Sequence, residues 1–224
     1  MKLIVGGCSV SDYTPGVDRV YGEILAEKIG ADYIHHGAGC GSNYRIWRII
    51  TRMVMNNEIN ENDIVLIQYT DVSRQEFWSS SEKENLREDK IRLRDKKYDG
   101  DIIRFKSSLK MSDKHEQKFF DLKQSYFTST GFDEERFEYN HFLFHNLMIS
   151  KNIKVAYVVL DGAMAPYNLD KIHLFNKNGE IHITDGMCFE YPSKYFEDTS
   201  HWNQAGHKYV ADELEKFIKK EQWL

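Results

Sequence analysis

Short apolar runs alternate with amphipathic segments along this 224-residue chain. The runs at 2–7, 63–70 and 154–160 contain few polar residues, as strands do when both faces of a parallel sheet are covered. Apolar residues recur at helical spacing in 17–29 and 204–220, which predicts one-sided helices. Strands that alternate with such helices form a parallel sheet with helices on both faces. The sequence therefore predicts a three-layer α/β/α domain of flavodoxin-like type.

Length and composition favour one domain that carries an insertion. With 41% hydrophobic residues the chain can bury a core without disulfides, and its three cysteines are too few and too scattered for a disulfide framework. The stretch from about 72 to 150 is longer than one crossover helix needs. We therefore expect a single domain over 1–224 with a charged, helical insertion at about 72–150.

Charge and hydropathy exclude several classes of partner. The formal net charge is −5, whereas a general nucleic-acid binder would show a basic surplus. No stretch has the roughly 20 apolar residues of a membrane span. The apolar N-terminus is shorter than the about 7–15-residue core of a signal peptide. We expect no nucleic-acid or membrane partner and a reducing, cytoplasmic location. The composition does not exclude a virion or host-exported location.

Polar and reactive residues follow the predicted strands at the point where each strand ends. Ligands of a parallel sheet bind beyond the carboxyl ends of its strands, so these residues are candidates for one site. These residue types are the components of acyl transfer. A serine can act as nucleophile, a glycine turn and polar side chains can donate to the oxyanion, and an Asp–His pair can supply the orienting carboxylate and the base. The candidates are Ser9, Gly41, Asn43, Thr70, Asp198 and His201.

Three of the chain segments that contain these candidates resemble, in order, motifs of the SGNH (GDSL-type) hydrolase superfamily. Residues 7–9, Gly-Cys-Ser, are similar to the first block, Gly-Asp-Ser, with Cys8 in place of the aspartate. Gly41, in a strand-to-helix turn, resembles the oxyanion glycine of the second block. Residues 198–201, Asp-Thr-Ser-His, resemble the last block, Asp-x-x-His. The match covers most of the chain.

The third block departs from the family pattern. It should read Gly-x-Asn-Asp, but residues 68–71 read Gln-Tyr-Thr-Asp, so Thr70 stands at the asparagine position. The resemblance implies that Ser9 is the nucleophile, His201 the base and Asp198 the residue that orients it. It also implies an oxyanion hole built from the amides of Ser9 and Gly41, with Thr70 or Asn43 as the third donor.

Each candidate also has a plain structural alternative. Ser9, Asn43 and Asp198 could cap helices, and Gly41 could serve only the geometry of its turn. His201 could be a surface histidine, and Thr70 an ordinary residue at the end of its strand. Cys8 could itself be the nucleophile, but its side chain is expected to point into the sheet.

The histidines suggest no metal site. Those at 35 and 36, 141 and 145, and 201 and 207 lack an accompanying carboxylate cluster or a His-Glu-x-x-His motif. We expect neither a metal nor another cofactor.

The favoured function is a serine esterase that hydrolyses a small acyl ester. The O-acetyl group and the carbohydrate are implied by the family resemblance alone, so the expected partner is a small-molecule or glycan ester. An acyltransferase that passes the acyl group to a sugar hydroxyl with the same triad is an alternative. A catalytically weak binding or structural module is another, favoured only by Thr70 at the asparagine position.

Overall fold

The fold is given by a computed structural model. It describes residues 1–8, 11–13, 16–37, 41–70, 75–78, 102–105, 132–158 and 202–224. In chain order the elements are β1 (Lys2–Gly7), α1 (Tyr21–Ile29), β2 (Asp32–Gly37), α2 (Asn43–Met55), β3 (Ile64–Gln68), β4 (Gln75–Trp78), β5 (Ile102–Phe105), α3 (Phe132–Ser150), β6 (Lys154–Val158) and α4 (Gln204–Lys220).

Four parallel strands form the central sheet in the order β2-β1-β3-β6. In register, Gly7 at the end of β1 lies beside Gly37 of β2, and Gly6 lies beside Ile67 of β3. Gln68 at the end of β3 lies beside Val158 of β6. Because all four strands run the same way, their carboxyl ends meet at one edge of the sheet, as the sequence predicts.

Side chains of each strand alternate between two apolar cores, one on each face of the sheet. Val65, Ile67 and Tyr69 pack with residues of α2 and α3. Ile64 and Leu66 pack on the opposite face with residues of α1 and α4. This period of two is the geometry of extended backbone, and it produces the predicted three layers.

Helix α1 begins four residues later than its apolar spacing predicts. Val17 and Val20 are buried, as expected of core residues, but Val20 is the N-cap. The N–H groups of Asp18 and Arg19 both donate to Oε1 of Gln204, at 2.9 and 3.0 Å. This contact with α4 gives the backbone at 18–19 partners outside a helix, and the helix starts after it.

The expected insertion contains strands as well as a helix. β4 and β5 form an antiparallel pair in which Gln75 lies beside Phe105 and Trp78 beside Ile102. The prediction of a helical insertion at about 72–150 therefore missed this pair, since two strands of four residues carry little periodicity. The charged run at 82–99 lies outside the described residues.

Helix α3 supplies the helical part of the insertion. It buries Phe137, His141, Phe144 and Met148 at helical spacing, so these side chains share one face. In the described part of the chain, no helix is both long enough and apolar enough to span a bilayer.

Candidate active site

Three of the six candidate residues lie at the carboxyl edge of the sheet and are described. Gly41 and Asn43 stand at the start of α2, and Thr70 follows β3; all three are buried. Ser9, Asp198 and His201 lie outside the described residues, so the triad stays a prediction. The neighbours of Ser9 and His201, which are Cys8 and Trp202, are described.

Asn43 and Thr70 are joined by two hydrogen bonds. The Thr70 N–H donates to Oδ1 of Asn43 at 2.9 Å, and Nδ2 of Asn43 donates to the Thr70 carbonyl at 2.8 Å. Both residues are about 2% exposed. The amide therefore satisfies the polar backbone of the loop after β3 and ties that loop to α2. The Thr70 side chain takes no part in this pairing.

Asn43 does not cap α2, which was one of its two predicted roles. The N-cap is Ser42, whose side-chain oxygen accepts a hydrogen bond from the Arg45 N–H at 3.1 Å. Its extended backbone, at φ −92° and ψ 162°, is typical of an N-cap. Asn43 is the first residue inside the helix, which leaves its amide free to reach Thr70.

Cys8 is held at three of its atoms. Its N–H and its thiol both donate to Oε1 of Gln68, each at 3.2 Å. Its carbonyl accepts from the Ser11 N–H at 3.2 Å and from the Ser11 hydroxyl at 2.9 Å. The Cys8 side chain is 1% exposed and lies in the core between the sheet and helices α1 and α4. This is the inward orientation expected for Cys8, and it does not suit a nucleophile.

Gly7 is required by the close packing of this turn. A Cβ at Gly7 would lie 2.1 Å from the Ser11 hydroxyl oxygen and 3.2 Å from Cβ of Gln68. A Cβ at Gly37 would lie 2.9 Å from the same hydroxyl. Both glycines therefore leave room for Ser11, which closes the turn that follows β1.

Beside this turn, Asp12, His35 and Tyr33 form a hydrogen-bonded row. Nε2 of His35 lies 3.2 Å from Oδ1 of Asp12, and the Tyr33 hydroxyl lies 2.8 Å from Nδ1 of His35. The same Asp12 oxygen accepts from the Tyr13 N–H at 2.7 Å. The row connects Asp12, which follows Ser11, to strand β2.

Trp202 is buried against Tyr21 and His207. Its ring meets Tyr21 edge-on at a centroid distance of 5.8 Å and His207 at 5.8 Å. Nδ1 of His207 accepts from the Tyr21 N–H at 3.2 Å, and burial lowers the pKa of His207 to about 4. Trp202 belongs to the same apolar core as Cys8. Two chain segments, those next to Ser9 and His201, are thus anchored in one cluster.

A second polar network crosses the opposite core, under β3 and β6. The Trp47 indole N–H donates to the Tyr69 hydroxyl at 3.1 Å, and that hydroxyl is hydrogen-bonded to Nδ1 of His141. An indole N–H can only donate, so the Tyr69 hydroxyl accepts from Trp47. His145 makes the matching contact with Tyr157 at 2.8 Å. Burial raises the pKa values of Tyr69 and Tyr157.

This network gives the paired histidines of α3 a packing role. Each uses Nδ1 for a tyrosine, and the two rings stack at 5.9 Å. Among the described residues, no group of three or more His, Cys, Asp or Glu side chains is arranged to hold a metal ion.

Sequence reasoning did not single out Gln68 or Trp202 as site residues. Gln68 is the one polar residue of the run Ile64–Gln68, and that was the available signal. Trp202 directly follows His201 in the last motif.

Comparison with known proteins identifies the fold. No protein-family model and no curated protein matches the chain. Among solved structures it is similar to one described as a "putative lipolytic protein of G-D-S-L family from Desulfitobacterium hafniense DCB-2". The TM-score is 0.52 at 10% identity, over 96% of this chain and 98% of that chain. Identity this low establishes the fold alone. The chain has the SGNH (GDSL-type) three-layer fold, which confirms the predicted fold class.

Proposed function

We propose that the protein is a serine esterase that hydrolyses a small acyl ester by a Ser9-His201-Asp198 mechanism. In it, His201 takes the proton of the Ser9 hydroxyl as oxygen attacks the carbonyl, and returns it to the leaving alcohol. Asp198 holds the imidazole tautomer. The acyl group proposed is acetyl and the alcohol a carbohydrate hydroxyl, both by analogy with the fold family.

The observation that carries this proposal is the shared core of Cys8 and Trp202. Each is adjacent in sequence to a proposed catalytic residue, and adjacent Cα atoms are only about 3.8 Å apart. Tyr21 contacts Trp202, and Cys8 is close enough to raise the pKa of Tyr21 electrostatically, after the larger effect of burial. The shared core of Cys8 and Trp202 therefore supports a contact between Ser9 and His201.

The proposed oxyanion hole combines the amides of Ser9 and Gly41 with the hydroxyl of Thr70. The Asn43–Thr70 hydrogen bonds support this choice, because the Thr70 N–H already has a partner and only its side chain is left to donate. Asn43 is proposed to hold Thr70 in place rather than to bind the oxyanion itself. A hydroxyl there supplies the donor that the family's asparagine would supply.

Hydrolysis of p-nitrophenyl acetate tests the proposed function. Ser9→Ala should lower turnover by orders of magnitude, whereas Ser150→Ala, at the exposed end of α3, should not. Asp198→Asn should be less damaging than His201→Ala. Activity should rise with pH through an apparent pKa of about 6–7, because the imidazole must be neutral to act as a base. Full activity in a folded Ser9→Ala protein would refute the mechanism.

A further inference from the structure

Gln68 places an amide in a row of side chains that is otherwise apolar. Ile64 and Leu66 precede it on the same face of β3, and all three are fully buried. Burial of an amide costs free energy unless its polar atoms find partners. A leucine or methionine would fill this position without that cost, so packing does not explain the glutamine.

The partners of Gln68 connect the ends of two strands. Oε1 accepts from both the N–H and the thiol of Cys8, at 3.2 Å each. Nε2 donates to the carbonyl of Tyr69. One buried side chain therefore ties the residue after β1 to the residue after β3, next to the two positions proposed to hold the nucleophile and the third oxyanion donor.

The hydrogen bonds to Cys8 fix the direction of its peptide groups. Gln68 holds the N–H and the thiol, while Ser11 holds the carbonyl through two hydrogen bonds, at 3.2 and 2.9 Å. A peptide group is planar, so the direction of one residue's carbonyl sets the direction of the next residue's N–H. The next residue is Ser9, whose N–H is a proposed oxyanion donor.

We infer that Gln68 is a positioning residue for the nucleophile, an inference that rests on the function proposed above. Gln68 holds the N–H and the thiol of Cys8 while Ser11 holds its carbonyl, so the two side chains together fix Cys8 and with it the peptide group that leads to Ser9. Gln68 does not contact the substrate. Its contribution appears in the transition state, because a donor amide that points away from the developing oxyanion stabilises it less.

The test measures p-nitrophenyl acetate hydrolysis by Gln68→Met, which keeps the length of the side chain and removes its hydrogen bonds. We expect kcat to fall by about 10- to 100-fold with KM changed by less than about threefold. The apparent pKa of the pH profile should stay at its wild-type value, because the base is untouched. Gln68→Glu retains an acceptor for Cys8 and should recover part of the lost kcat.

Leu66→Ala is the matched control, since it weakens the same face of the same strand without a hydrogen bond to Cys8. It should lower the Tm but leave kcat near wild type at temperatures where the protein is folded. If Gln68→Met does not fold, Gln68→Asn takes its place, because it retracts the same amide by one methylene and should show the same loss of kcat. Wild-type kcat in a folded Gln68→Met or Gln68→Asn protein would overturn the inference.

Ser9→Ala, assayed in parallel, separates the two proposals. Loss of activity in Ser9→Ala together with wild-type kcat in the Gln68 variant leaves the esterase mechanism standing and removes only the role of Gln68. Persistent activity in Ser9→Ala removes both.

Discussion

Asn43 binds the backbone of Thr70 at both its N–H and its carbonyl, at 2.9 and 2.8 Å. The amide at the start of α2 thus holds the loop after β3, and the Thr70 hydroxyl is the proposed third oxyanion donor. The two residues therefore have different roles at one edge, and mutation separates them.

Thr70→Val should lower kcat by about 10- to 1,000-fold with little change in KM, the range typical of removing one oxyanion donor. The fold should persist, because both backbone hydrogen bonds to Asn43 remain. Thr70→Ser keeps a hydroxyl and should retain most of the activity. Steady-state kinetics of the two variants check this, and equal activity in Thr70→Val and wild type would remove the hydroxyl from the hole.

Asn43→Ala should destabilise the protein as well as slow it. The substitution leaves a buried N–H and a buried carbonyl of Thr70 without their partners, which costs about 2–4 kcal/mol in the free energy of unfolding. Urea denaturation measures this loss. A variant with wild-type stability would show that the loop after β3 does not depend on Asn43.

Two Tyr→Phe substitutions should have opposite effects on stability. The buried Tyr21 hydroxyl has no hydrogen-bond partner among the described residues, so Tyr21→Phe should leave stability unchanged or raise it. The Tyr69 hydroxyl bonds to Trp47 and His141, and its loss should cost about 2–4 kcal/mol. Urea denaturation of both variants gives the comparison. Equal losses would contradict the assignment of partners.

His207 should make stability fall as the pH drops from about 6.5 to 4. Burial lowers the pKa of His207 to about 4 in the folded protein, whereas the unfolded chain titrates near 6.5. Above 6.5 the imidazole is neutral in both states and costs nothing. Between the two values the unfolded state binds the extra proton, so the folded state loses up to about 3 kcal/mol by pH 4.

The difference between wild type and His207→Gln isolates this contribution. Unfolding free energies from pH 7.5 to 4 should decline less steeply in His207→Gln, while Lys208→Gln, at the exposed neighbouring residue, should follow wild type. Parallel curves for wild type and His207→Gln would show that His207 is not the group that titrates.

The sheet could be predicted from sequence because its signals are local. Ile64–Gln68 has the pattern of a buried strand in its own residues, and three apolar runs that alternate with one-sided helices leave few other arrangements. The late start of α1 could not be predicted, because it depends on Gln204, almost the whole chain length away. β4 and β5 were missed because their pairing joins two segments with weak patterns.

The site was predictable only in outline. Motif order indicated that Gly41, Asn43 and Thr70 share one edge, but cap and oxyanion donor were equally reasonable roles for Asn43. The choice depends on the distance between α2 and the end of β3. In the same way, the role of Gln68 could be inferred only from the structure, in which β1 lies beside β3 and Cys8 therefore meets the Gln68 amide.

Reaction with a fluorophosphonate, followed by mass spectrometry of the labelled peptides, tests the central claim most directly. An activated serine is required for this reaction, so a folded protein with the proposed triad should carry one adduct, located on Ser9, and the labelling should disappear in His201→Ala. Absence of an adduct, or an adduct on another residue while Ser9 stays unmodified, would contradict the account.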